Sequence, residues 1–133
     1  MSTFSNLCKD ILNIDDKIRF AGVANFEARI LAARFREGVE PLLTTQESEL
    51  SIMQSLIRMS MRRMLESKLG RPIYAFAEYE KVKRATFAIY DQQLREPDAI
   101  LKVSFDRAAD AYSIIEQKIK PLLNKADKSL NGQ

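Results

Sequence analysis

TTQESELSIMQSLIRMSMRRMLESKLGRP, residues 44–72, is the stretch whose reading decides the fold. Thr44 and Glu47 stand three apart, the spacing at which a hydroxyl and a carboxylate reciprocally satisfy the free amides of a helix start. At the other end Gly70 can adopt the left-handed conformation that closes a helix, and Pro72 forbids continuation. The two signals predict one long helix over about Thr45–Leu69. Along it Leu50, Met53, Ile57, Met61, Met64 and Leu65 make an apolar stripe. Ile52, Leu56 and Met59 widen the stripe beyond what a single sheet face usually covers.

Working outward towards the N-terminus, Gly38 and Pro41 separate the helix from two apolar runs. Ile18 to Phe26 is apolar on nearly both faces, as in a central strand, and Arg29 to Arg36 follows after only Glu27 and Ala28, the spacing of a hairpin. Before them Phe4, Leu7, Cys8, Ile11 and Leu12 recur at helical steps. Cys8 lies on that apolar stripe and is assigned to packing. Working outward towards the C-terminus, Ile73 to Tyr79 and Ala85 to Tyr90 are rich in strand-forming residues and flank the charged connection Glu80 to Arg84. Asp91 to Asp98 is polar and contains Pro97, which predicts a loop. Ala99 to Phe105 then reads as a fifth strand. Asp106 is the expected cap of a last helix, whose final turn Pro121 should limit. Lys125 to Gln133 is expected to fray.

The resulting order is α-β-β-α-β-β-β-α: an α+β domain over residues 1–124. It has a five-stranded, mostly antiparallel sheet, the long helix on one face and the N- and C-terminal helices on the other. Over roughly residues 3–123 this layout resembles the roadblock/LC7 domains, relatives of profilin-like folds. Lys17 to Val23, Lys81 to Phe87 and Ile114 to Ile119 also look like segments of short proteins from ammonia-oxidising archaea. The roadblock resemblance implies a symmetric dimer built on the long helix, with the neighbouring third strand continuing the sheet. It also implies a signalling partner such as a small GTPase.

Composition narrows the function. The 133 residues, 46% hydrophobic and 29% charged, suit one globular domain. A single cysteine and the absence of histidine exclude an internal disulfide and the usual nitrogen and sulfur ligand sets for zinc. Without histidine the commonest general base near neutral pH is also missing. No Gly-rich phosphate loop, nucleophile-elbow serine or carboxylate cluster replaces it. The expectation is therefore a non-enzyme without cofactor. No apolar run is long enough to span a bilayer and the N-terminus does not read as an export signal, which predicts a cytoplasmic protein.

Candidate binding residues fall into three groups. Methionine is unbranched and adaptable, so Met53, Leu56, Ile57, Met59 and Met64 can form a self-association surface or fill an irregular core. Arg58 and Arg62, one helical turn apart, can hold a phosphate or a partner's carboxylates, or lie solvated beside Glu66. Tyr74, Phe76, Tyr90 and Tyr112 would line a pocket if the domain were instead a small-molecule sensor. A third reading, nucleic-acid binding through Lys81, Lys83 and Arg84, is weakened by Glu78 and Glu80 within the same segment.

Overall fold

A computed structural model describes residues 3–91 and 96–130 of the chain. The elements in order are α1 (Thr3–Ile14), β1 (Ile18–Asn25), β2 (Ile30–Phe35), α2 (Thr45–Arg63), the single turn α3 (Glu66–Leu69), β3 (Tyr74–Glu78), β4 (Val82–Asp91) and β5 (Glu96–Asp106). A last helical stretch follows as α4 (Ala111–Ile114), a π-helical turn (Ile115–Ile119) and α5 (Lys120–Leu130). The strands form one sheet in the order β2-β1-β5-β4-β3, and all four pairings are antiparallel. The α+β architecture read from the sequence is the one observed.

Strand alternation divides the sheet into two unequal sides. Ala99, Leu101, Val103 and Phe105 of β5, with Ala85, Phe87 and Ile89 of β4, pack under Leu7, Cys8, Ile11 and Leu12 of α1 and under Ile114, Ile115 and Ile119. This is the main core. On the opposite side the cluster is small: Ala24 and Ile100 meet Leu56, with Phe26 and Ile52 at its margin. Met59 is also fully buried. Thus α2 is seated through a few residues of one face, while the terminal helices share a continuous apolar layer with the sheet.

Local chemistry explains most element ends. Thr44 Oγ1 accepts from the Glu47 amide at 3.1 Å, and Glu47 Oε1 accepts from the Thr44 amide at 2.8 Å. The helix is shorter than expected, breaking at Met64 and Leu65 before α3; Gly70 then takes φ 82°. In the first hairpin Asn25 Oδ1 accepts from the amides of Glu27 and Arg29, both at 3.0 Å, which holds Ala28 at φ 63°. Arg36 reaches back from the end of β2 and donates to the Ile18, Leu12 and Asp15 carbonyls, so it occupies an orphan acceptor at the end of α1. Lys118 adds a 2.9 Å ion pair to Asp15.

Four expectations need correction. Val82 to Arg84 belong to β4 rather than to the connection, and β5 begins at Glu96, with Pro97 paired opposite Tyr90 beside a bulge. Residues 92–95 of the expected loop lie outside the described residues. The last helix is capped by Asp110, whose Oδ1 accepts from the Ser113 amide at 3.2 Å; Asp106 closes the preceding turn instead. Pro121 does not end that helix. Its ring crowds the carbonyl one turn back and it has no amide to offer, and the wider π turn directly upstream accommodates both. The helix accordingly continues past residue 124 to Leu130.

Candidate functional site

Two surfaces on the α2 side of the sheet remain after the core is assigned. The first is the outer face of α2. Leu50, Met53, Ile57, Met61 and Met64 recur at three- and four-residue steps and all are exposed, Ile57 at 57% and Met61 at 62%. Leu65, Leu69 and Ile73, which follow in sequence, are exposed as well. Of the five residues expected to mediate self-association, Met53, Ile57 and Met64 are on this face. Leu56 and Met59 are not: they point at the sheet and are core residues, 8% and 0% exposed. The helix therefore has two apolar faces, one spent on its own sheet and one uncovered.

Arg58 and Arg62 stand exposed along the edge of α2. Glu66, four residues after Arg62, pairs instead with Arg63 at 3.2 Å. Neither Arg58 nor Arg62 is in an ion pair among the described residues. Next to the end of the helix, β3 is an edge strand, bonded only to β4. Tyr90 of β4 feels the charges of Glu66, Arg71 and Arg63, which places the end of α2 over this corner of the sheet. Burial is the main cause that raises its phenol pKa.

The second surface is a groove of about 600 Å³ between the sheet and the N-terminal half of α2. Its floor consists of two rows set by strand register. One carries Phe35, Phe20, Ser104 and Arg84; the next carries Ala33, Gly22 and Lys102. The Phe20 ring folds back over Gly22: a Cβ at this position would sit 2.6 Å from the ring and force it to move. Phe20 in turn meets Phe35 at 4.6 Å between centroids. Leu42, Leu43 and Leu50 contribute to the walls.

Lys102 is the unexpected residue in this floor. It stands in the central strand at 8% exposure, and its ammonium donates to Ser51 Oγ of α2 at 2.6 Å. Arg84 donates to the same oxygen at 2.6 Å. Burial, then the nearby Arg84 and Arg58 charges, pull the Lys102 pKa down to about 7. No carboxylate pairs with Lys102 or Arg84 among the described residues.

The four aromatic residues expected to line a ligand pocket do not converge. Tyr74 stacks on Phe87 at 5.3 Å, on the terminal-helix side, with the Lys120 ammonium over its ring. Phe76 is exposed at the β3 edge. Tyr90 faces the other way, donating to the Pro72 carbonyl at 2.6 Å under the Arg71 guanidinium. Tyr112 is exposed on α4. Nor do the three cations of the second hairpin make one patch: Lys83 donates to the Ala109 carbonyl at 2.7 Å, while Arg84 reaches Ser51. Cys8 is buried, and burial pushes its thiol up to about 11, consistent with a packing role.

Among the described residues no group of three or more Cys, Asp or Glu side chains is placed to hold a metal ion, and no helix is long and apolar enough to cross a membrane. No known family's sequence profile matches the chain, and no curated protein matches it. Solved structures do. A roadblock/LC7 domain from Streptomyces avermitilis superposes with a TM-score of 0.70 at 12% identity, covering 97% of this chain and 98% of its own. An MglB in a tetrameric arrangement gives 0.72 at 13% identity, over 96% of this chain and 90% of that one. Myxococcus xanthus MglB gives 0.70 at 12% identity, over 100% and 98%. These likenesses establish a roadblock fold.

Proposed function

We propose that this roadblock-fold chain is a non-catalytic interaction module that acts as a homodimer in the cytoplasm and scaffolds or regulates a signalling partner such as a small GTPase. The observation that carries the reading is the second apolar face of α2. A stripe from Leu50 to Met64, followed by the exposed Leu69 and Ile73, is costly to leave in water and marks a surface made to be covered. The neighbouring β3 edge has unpaired backbone groups and, from Tyr74 to Ala77, no charged side chain to discourage pairing with another strand. A second copy related by a two-fold axis would cover both at once. That MglB has been solved in a tetrameric arrangement supports self-association in chains of this fold. Arg58 and Arg62, exposed on α2 and in no ion pair among the described residues, are suited to carboxylates of the regulated partner.

Light scattering after gel filtration tests the dimer. The protein is expected to run as a dimer at tens of micromolar, and Ile57→Glu with Met61→Glu to run as a monomer with unchanged helix content. Met59 is the wrong place for such a charge, because it is buried and its substitution would confound association with folding. A monomeric wild-type protein at about 100 μM, far above the Kd of a stable dimer, would remove the proposal.

A further inference from the structure

We propose that the groove beneath the N-terminal half of α2 binds a small organic carboxylate, with its head group on Lys102 and Arg84 and its apolar body against Phe20, Phe35, Leu42 and Leu43. The groove and the outer stripe of α2 that carries the dimer reading are different surfaces that meet at Leu50.

Charge carries the argument. Two cationic groups from adjacent strands converge on one neutral oxygen, Ser51 Oγ. A hydroxyl satisfies hydrogen bonds but offers no countercharge, and the next charge to reach Lys102 is Arg58, again positive. The carboxylates that line the groove, Glu47 and Glu80, do not pair with either cation; Glu47 is turned to its own helix cap. An uncompensated buried ammonium is costly to folding, and a bound anion removes that cost. The shared hydroxyl marks where an anionic oxygen would be coordinated from two sides.

Shape and size define the rest of the ligand. About 600 Å³ lies within the range of small-molecule sites, and the wall away from the two cations is apolar and aromatic. One buried and one half-buried cation suit a single carboxylate better than a polyphosphate, and no run of glycine amides is present to cradle one. A guanidinium next to an ammonium gives a carboxylate one bidentate and one point-charge partner. Lys102 must be protonated to act. It faces Arg84 of β4 together with Ser51 and Arg58 of α2, while Arg19, Glu47 and Glu80 stand farther out on the groove lining.

The test is titration of the wild-type protein with phenylacetate and octanoate at pH 6, followed by NMR chemical shifts, with phenylethanol and inorganic phosphate as controls. Saturable binding of at least one carboxylate is expected, with shifts at Gly22, Ser51 and Lys102. It should weaken roughly tenfold or more by pH 8.5, as Lys102 loses its proton. Lys102→Met and Arg84→Met, each checked for folding, should weaken it by roughly tenfold or more. No saturation by either probe up to 10 mM, equal binding by Lys102→Met, or equal binding of phenylethanol would each overturn the proposal. Binding of phosphate but of neither carboxylate would overturn the ligand class.

Discussion

Lys102→Met is expected to make the protein more stable at pH 6, by about 1–4 kcal/mol, because a side chain of similar length replaces a buried charge that has no countercharge among the described residues. The pH dependence follows from the direction of the shift. The folded-state pKa, about 7, lies below the value of 10.5 for the free side chain. Below about 7 both folded and unfolded chains hold the proton, and folding bears the full cost of burying it. Between about 7 and 10.5 the unfolded chain holds more protons, so wild-type stability rises with pH. The advantage of the methionine variant should therefore shrink from pH 6 to pH 8.5. The window stops short of 9.0, where the Cys8 thiol of the unfolded chain begins to matter. The chain has no histidine to confuse the reading. Urea denaturation at the two pH values measures it. A variant less stable than wild type at pH 6, or a difference that does not change with pH, would show that the ammonium is not buried without compensation. With the anion proposal, this makes Lys102 a residue at which stability and binding oppose each other, so loss of binding in Lys102→Met could not be ascribed to unfolding.

Phe87→Ala is expected to cost about 3–5 kcal/mol, a large share of the stability of any small domain. Phe87 has no exposure, lies between Tyr74 and Leu101 in strand register, and stacks on the Tyr74 ring. Removing it opens a cavity in the layer that joins the sheet to the terminal helices, and the partly buried Tyr74 loses its support. Tyr112→Ala, at an exposed ring on α4, is the matched control and should stay within about 0.5 kcal/mol of wild type. Equal effects of the two, measured by denaturant midpoint, would contradict the assignment of Phe87 to the core and of Tyr112 to the surface.

What could be read from the sequence was what local chemistry decides. Thr44 and Glu47 specified the start of α2, Gly70 the end of α3, and the apolar runs around Phe20 and Leu101 the central strands. The rotation of α2 was not legible. Its residues are apolar around two opposite arcs, so Leu56 and Met59 could not be told from Ile57 and Met61 until the sheet chose between them. Asp106 and Asp110 compete for one cap in the same way, and only the length of β5 decides. The groove was illegible for a different reason: Gly22, Ser51, Arg84 and Lys102 come from four elements and meet only through strand register. One signal was available. A lysine between Leu101 and Val103, in a strand covered on both sides, is a charge where none should be, and it marks the site that the aromatic residues did not.

The slender seat of α2 has a consequence for how the molecule breathes. A layer anchored by Leu56, Met59 and their few neighbours is expected to open before β1, β5 and the terminal helices do. Its backbone amides would then exchange with deuterated solvent through that partial opening, well before those of the sheet. A molecule in the groove and a copy against the outer stripe would both hold the unit down. The two kinds of occupancy would thus be coupled through one helix, although of the residues named for them they share Leu50 alone.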